Sequence, residues 1–148
     1  MENKQNSEWK SMRYQTLSSE ECQKPFIIKI RFIQPPLSNN RLIDIRSFID
    51  DKATKVGVSL KIDEFNEVIK NIRDQKQLDK IYNNNREVHL KCNGESGFVI
   101  RVVNRSKDDS KKCRFITISK KQGEELLDIA NLLNLIFNSN EAAERFSK

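Results

Sequence analysis

The chain has 148 residues, 36% hydrophobic and 32% charged, with a net charge of +6 and an isoelectric point near 9.3. This length and composition predict one ordinary domain, and the excess of bases favours an anionic partner such as nucleic acid. Three cysteines without a C-x-x-C pair argue against a disulfide scaffold and a zinc site, and they fit a reducing compartment. The single histidine, His89, lies in a strand-like run, and we expect no catalytic or metal site and no cofactor. We therefore expect that the protein is not an enzyme.

The sequence carries no pattern typical of secretion or of membrane insertion. The first residues, MENKQNSEWK, lack the apolar core of a signal peptide. The longest apolar runs are far shorter than the roughly 20 residues that cross a bilayer. We therefore expect no membrane partner.

The first sixty residues predict a tail followed by strands. Residues 1–25 are polar, with four bases and four acids, which is typical of a flexible tail. FIIKIRFI at 26–33 and RLIDIRSFI at 41–49 alternate apolar and polar side chains, and VGVSL at 56–60 is β-branched. These three runs predict strands.

The run at 41–49 is unusual because it carries charge inside a core-like pattern. Its isoleucines are predicted to face the core, and Asp44, Arg46 and Phe48 the opposite side. Asp44 is predicted to position Arg46 or to pair across the strand, since no second carboxylate or metal ligand lies in register with it. Gly57 is predicted to permit a bulge or a close backbone approach in the next strand.

The pattern then changes from alternation to a helical stripe. Asp63 resembles an N-cap, and apolar residues from Phe65 onward recur at i, i+3, i+4 and i+7. This predicts an amphipathic helix that runs to Tyr82 and is ended by NNN at 83–85. Strands followed by a helix make one sheet-plus-helix unit.

The same order of elements recurs in the second half. REVHLKC (86–92), GFVIRVVNR (97–105) and CRFITIS (113–119) predict strands, and Asn93-Gly94 predicts a hairpin turn. Ser119 and Gln122 resemble a capping box ahead of a second apolar stripe. The second half therefore predicts another sheet-plus-helix unit.

An offset of 58 residues aligns the two halves without a gap across about thirty positions, placing Ile43 with Arg101 and Val68 with Leu126. One half alone cannot bury both a sheet face and a helix stripe. We therefore predict an α+β fold in which two repeats form a single-chain pseudo-dimer, with curved antiparallel sheets and helices packed together. The predicted divisions are the tail at 1–25, a first repeat at 26–82 and a divergent second repeat at 86–148.

Charge is segregated between the predicted sheets and helices. The strand regions hold seven bases against three acids at 26–61, and ten against four at 86–121. The helical segments at 62–82 and 122–148 are net acidic. Basic sheets indicate a face that meets phosphates.

Residues 29–72 resemble the positive cofactor four (p15) family of transcriptional coactivators. The resemblance lies in the basic-aromatic strand KIRF at 29–32, in LIDIR at 42–46 followed by an aromatic and an acidic turn, and in KVGVSL at 55–60. It is weaker over 86–137. It implies a curved antiparallel sheet and a helix per unit, pairing through the helices, and binding of single-stranded or unwound DNA without sequence preference. The related Pur-alpha and Whirly-type folds also pair similar units.

The resemblance also implies binding residues. The family has basic, DNA-contacting residues at the positions of Lys29, Arg31, Arg46 and Lys55. Phe48 matches the aromatic residue that follows LIDIR in the family. Further basic candidates, from the residues themselves, are Arg41 in the first repeat and a generic set in the second repeat: Arg101, Arg105, Lys111, Lys112 and Arg114.

Two departures from the family leave alternatives open. Leu37 and Ile49 stand where the family has stacking aromatics, and stacking contributes roughly 1–3 kcal/mol per base. The first hypothesis is a nuclear or viral protein, a monomeric pseudo-dimer or homodimer, that binds single-stranded or melted DNA alongside transcription or replication proteins. The alternatives are a protein-interaction scaffold of a transcription complex that has lost strong DNA binding, and an RNA-binding protein.

Overall fold

The structure of the chain, a computed structural model, describes residues 10–34, 41–83, 85–105 and 111–137. Two four-stranded antiparallel sheets, β1-β2-β3-β4 and β5-β6-β7-β8, are each followed by one helix, which confirms the predicted α+β class. Short 3-10 helices lie at Glu21–Gln23 and Gly94–Ser96. The elements are β1 (Lys10–Thr16), β2 (Ile27–Gln34), β3 (Leu42–Ile49), β4 (Lys52–Leu60), α1 (Ile62–Asp74), β5 (Leu78–Asn83), β6 (Arg86–Cys92), β7 (Phe98–Arg105), β8 (Lys111–Ile118) and α2 (Lys120–Phe137).

Each sheet has one face against the shared core and one outer face. On β2 and β3 the opposed pair Ile30 and Ile45 is fully buried, and on β6 and β7 so is the pair Leu90 and Ile100. The intervening residues project to the opposite side because strand side chains alternate. We call that opposite side of each sheet its outer face.

Helix α1 is shorter than the stripe predicts. It begins at Ile62 rather than after Asp63, and it ends at Asp74 because Gln75 adopts a left-handed conformation (φ 56°). The predicted continuation to Tyr82 is wrong, since Leu78 opens strand β5. The segment that looked helical thus supplies the first strand of the second sheet.

The capping box predicted for α2 is confirmed. The Gln122 backbone N–H donates to Ser119 Oγ at 3.0 Å, and the Ser119 backbone N–H donates to Gln122 Oε1 at 2.9 Å. These two bonds satisfy two donors that a helix start would otherwise leave unpaired. They fix the position where the last strand of the second half passes into its helix.

The two halves pack through their helices and last strands, and each helix start also holds the first hairpin of the other half. Arg86 of β6 donates to both carboxylate oxygens of Glu64 at 2.7 and 2.8 Å. On the other side, Gln122 Nε2 donates to the Ser18 carbonyl at 2.7 Å and Ser18 Oγ donates to Glu125 at 2.6 Å. These paired contacts give the pseudo-dimer its internal symmetry.

Strand β1 lies inside the segment predicted to be a flexible tail. It pairs with β2, with Gln15 opposite Ile30, and Leu17 just beyond it is buried in the core. The tail prediction is therefore wrong for residues 10–25, because the mostly polar residues of β1 carry too weak an alternation for a strand to be recognised. Residues 1–9 lie outside the described part of the chain.

The two halves repeat the same order of strands and helix, but the offset between equivalent residues differs from strand to strand. Ile45 pairs with Val58, and Ile100 pairs with Ile116. The offset of 58 therefore relates β4 to β8, whereas β3 and β7 are related by 55, because the connection after β7 is three residues longer. The predicted match of Ile43 with Arg101 is wrong for this reason.

Gly123 lies where α2 crosses the second sheet. A Cβ added there would lie 2.6 Å from Cε2 of Phe98, a ring that is itself buried, and 3.6 Å from Ile72 of α1. Gly123→Val should therefore lower the free energy of unfolding by about 1–3 kcal/mol, since overpacking forces the ring to move. Urea denaturation measures this loss, and Glu124→Val, at the exposed neighbouring position, controls for placing a β-branched residue in this turn of the helix. Equal losses in both variants would contradict the close packing.

Candidate nucleic-acid interface

The outer face of the first sheet brings together basic residues from two neighbouring strands. Lys29 lies opposite Arg46 and Arg31 lies opposite Asp44 on β2 and β3, while Tyr14 of β1 lies opposite Arg31. Residues directly opposed in an antiparallel pair share a face. These five side chains therefore form one patch on the side of the sheet away from the helices.

Asp44 organises this patch. Its carboxylate is fully buried, and Oδ2 accepts from Arg31 Nε and Nη2 at 3.0 and 2.8 Å. Oδ1 accepts from Arg46 Nη2 at 3.0 Å and from Ser59 Oγ at 2.8 Å. The prediction that Asp44 positions Arg46 or pairs across the strand is confirmed on both counts.

The Asp44 network leaves a net positive charge and unused donors. One carboxylate faces two guanidinium groups, so the cluster carries a net charge of +1. Arg46 Nη1 also donates to the Thr54 carbonyl at 3.0 Å, which fixes the plane of that guanidinium. A guanidinium has five N–H groups, so both arginines keep donors for an anion, while the acceptors of Asp44 are already occupied.

An open groove of about 380 Å³ lies over this network. Gly57 allows the local backbone path, since a Cβ there would lie 2.7 Å from the Ile45 carbonyl oxygen, and the β3–β4 register shifts beside it. The predicted close approach at Gly57 is thus confirmed. The lining residues of what we call the first-sheet groove are Arg31, Ile33, Asp44, Arg46, Ala53, Thr54 and Ser59.

Aromatic rings surround the third cation of the patch. The Lys29 ammonium lies 4.8 Å from the centroid of the Phe48 ring and 5.1 Å from that of Tyr14. Arg31 covers Phe48 as well, at 5.0 Å. Phe48 is only 7% exposed, so its ring supports the cations from below, whereas Tyr14 is 61% exposed and presents a ring surface for a base.

Sequence reasoning missed Tyr14 because it lay in the predicted tail. The remaining first-repeat candidates are not among the directly opposed residues of the patch: Arg41 is half-buried just before β3, and Lys55 is exposed where the β3–β4 register shifts. Ile49 is half-buried at the end of β3. Leu37 lies outside the described residues.

The basic set predicted for the second repeat is divided between two faces. Arg101 and Arg105 lie on the outer face of β7, and Lys111 lies opposite Arg105. Lys112 and Arg114 alternate with these positions and therefore project on the side of the helices, where both are exposed. The five residues do not form one surface.

An acidic cluster occupies the other side of the second outer face. His89 contacts Asp79 at 2.6 Å through Nδ1 and Glu87 at 3.1 Å through Nε2, and Arg105 donates to Glu87 at 3.1 Å. The His89 hydrogen bond, followed by the charge of Arg105, holds the pKa of Glu87 below its ordinary value. This side of the sheet is not suited to an anion.

Within residues 10–34, 41–83, 85–105 and 111–137, no group of three or more His, Cys, Asp or Glu side chains is placed to hold a metal ion. No helix in the same ranges combines the length and apolarity needed to cross a membrane.

No family model matches the chain, and no curated protein matches it. Among solved structures, the chain is similar to crystal structures of Trypanosoma brucei MRP1/MRP2, with a TM-score of 0.52, 9% sequence identity, and coverage of 88% of this chain and 86% of that chain. At this identity the similarity concerns the fold alone, a Whirly-like arrangement of two antiparallel sheets. Membership of the positive cofactor four family is not shown.

Proposed function

We propose that the chain binds single-stranded nucleic acid, DNA or RNA, on the outer face of its first sheet. The observation that carries this proposal is the pair of guanidinium groups that Asp44 holds over an open groove, beside the exposed ring of Tyr14. Fixed guanidinium donors suit phosphate oxygens, and an exposed ring suits an unpaired base. The Whirly-like fold is compatible with this use of a sheet face.

The role we propose is binding rather than catalysis. Among the described lining residues of the first-sheet groove, Asp44 is the only acid, and it is buried with both oxygens occupied by Arg31, Arg46 and Ser59. A carboxylate in that state has no free acceptor for a substrate proton. Single strands arise where duplexes are opened, so we further propose a nuclear role in transcription or replication, with protein partners from those processes.

Binding to labelled oligonucleotides at two salt concentrations tests the proposal. We expect single strands to bind more tightly than duplexes, and the affinity to fall steeply with salt because phosphate contacts release counterions. Lys29→Ala should weaken binding and reduce the salt slope by about 1. Lys70→Ala, which removes an exposed cation from α1, is the matched control.

Tyr14→Ala should cost about 1–3 kcal/mol of binding free energy, the range for loss of one stacked base, without changing the salt slope. Leu132→Ala removes a similarly exposed apolar side chain from α2 and should leave binding unchanged. If the wild-type chain does not bind single-stranded oligonucleotides at low salt, the proposal is ruled out and the protein-scaffold alternative is favoured.

A further inference from the structure

The second sheet carries an exposed aromatic where the first sheet carries a glycine. Phe115 of β8 lies opposite Arg101 on the outer face, as Gly57 of β4 lies opposite Arg46. Phe115 is 49% exposed, which is unusual for a phenylalanine in the middle of a paired strand. The repeat thus keeps the arginine of this row and adds a ring beside it.

The ring lies on the basic side of its face. Phe115 lies directly opposite Arg101, and the other basic outer positions of β7 and β8, Arg105 and Lys111, pair with each other two outer-face rows away, where Arg105 also contacts Glu87. The described residues of these two strands contain no acid. The acids of this sheet, Asp79 and Glu87, lie on β5 and β6. An occupant of the β7–β8 side therefore meets positive charge and one exposed aromatic ring.

Arg101 differs from its counterpart Arg46 in its surroundings. The position equivalent to Asp44 is Val99, whose apolar side chain cannot hold the guanidinium as Asp44 holds that of Arg46. Among the described residues Arg101 takes part in no ion pair, and its side chain is exposed. An exposed guanidinium beside a ring can contact a phosphate while the attached base stacks on the ring.

We propose that Phe115 and Arg101 form a second nucleic-acid subsite, in which Phe115 stacks an unpaired base and Arg101 contacts the adjoining phosphate. This inference rests on the proposed function and extends it: the first sheet holds phosphate on fixed guanidinium groups, and the second holds a base on a ring. Because the subsite belongs to the other sheet, a strand must be long enough to reach both sheets to benefit from it.

The test compares variants on oligonucleotides of about 6 and about 20 nucleotides, lengths that bracket the site size of one binding unit. Phe115→Ala should weaken binding of the longer oligonucleotide about tenfold. Ile81→Ala is the matched control, because Ile81 is an apolar residue, 69% exposed, at an outer-face position of the same sheet, in the row of Glu87. Its binding should equal that of the wild type.

A spectroscopic readout separates stacking from a structural role. Trp9 is the only tryptophan of the chain, so Phe115→Trp in a Trp9→Phe background places a single reporter at the subsite. Stacking on a base should quench its fluorescence when the 20-nucleotide strand is added. Ile81→Trp in the same Trp9→Phe background should show no such quenching.

The outcomes distinguish the two proposals. If Phe115→Ala binds as Ile81→Ala does and tryptophan at position 115 is not quenched, the second subsite is rejected, while weaker binding by Lys29→Ala still supports the first-sheet site. If the wild-type chain binds no single strand at all, both proposals fall. A tenfold loss confined to Phe115→Ala, together with quenching, supports the subsite.

Discussion

Replacing Asp44 with asparagine should lower the free energy of unfolding by about 3–5 kcal/mol, the cost of removing one partner from a buried ion pair. The amide keeps the size of the side chain but leaves Arg31 and Arg46 without their counter-charge. Both guanidinium-bearing side chains are largely buried, at 23% and 17% exposure, so water replaces the lost interaction poorly. Urea denaturation followed by circular dichroism measures the change.

The same substitution separates charge from geometry at the first-sheet groove. Asp44→Asn makes the groove more positive, yet we expect weaker binding of single strands, because Arg31 and Arg46 are no longer held in one orientation. Binding is measured under conditions where the variant remains folded. Asp51→Asn is the control, since Asp51 is 97% exposed and 3.7 Å from Lys29, and should change stability by no more than about 0.5 kcal/mol. Tighter binding by Asp44→Asn would show that net charge alone matters.

The sequence predicted the strands with buried apolar residues and missed the first strand of each sheet. The strands β2, β3, β4, β6, β7 and β8 carry clear apolar alternation or β-branched runs, so their burial leaves a periodic signal. The missed strands, β1 and β5, are the first strands of their sheets, and their described side chains are exposed or half-buried, whereas the edge strands at the other end, β4 and β8, pack against each other between the halves. β5 was also hidden because Leu78 and Tyr82 continue the apolar spacing of α1.

The sequence predicted which charged residues form the first-sheet site, but not how the side chains pack there. Lys29, Arg31 and Arg46 do share one face, as alternation within β2 and β3 requires. The burial of Phe48 beneath two of these cations depends on side-chain packing that no spacing rule contains. Phe115 went unnoticed because the gap-free offset of 58 aligned β7 wrongly, so its pairing with Arg101 became visible only from the strand register.

The polar contacts between the two halves could not be predicted from sequence patterns, for a different reason. Arg86 looked like the polar start of a strand, and Glu64 like an acid in the first turn of a helix. Neither position has a periodic signature, and the two residues meet only because the halves pack against each other. Long-range polar pairs of this kind depend on tertiary geometry.

Replacing Arg86 with methionine should lower the free energy of unfolding at pH 7 by about 3–5 kcal/mol, because Glu64 is then buried without its counter-charge. Arg86 bonds Glu64 through two nitrogens, and also donates to the Ser59 carbonyl at 2.8 Å and to Asn104 at 3.1 Å. One substitution therefore breaks contacts to both sheets and to α1. Arg73→Met, which removes an exposed arginine from α1, should have little effect.

The pH dependence of this loss identifies Glu64 as its source. Burial by itself raises the pKa of Glu64, but the Arg86 bond and the Lys61 backbone N–H together hold that pKa below its ordinary value of 4.5. In the wild type the Glu64–Arg86 pair therefore stabilises the fold fully at pH values above 4.5, the ordinary pKa of Glu64. This stabilisation is lost as the pH falls through the lowered pKa that Glu64 has in the folded chain. In Arg86→Met only burial and the weaker Lys61 contact act on Glu64, so the pKa of Glu64 rises, and its protonation relieves the cost of burying an unpaired charge.

The stability difference between wild type and Arg86→Met should accordingly shrink as pH is lowered from 7 to about 4. In a Glu64→Gln background this difference should be small at every pH. A difference independent of pH would assign the loss to the Ser59 and Asn104 contacts instead.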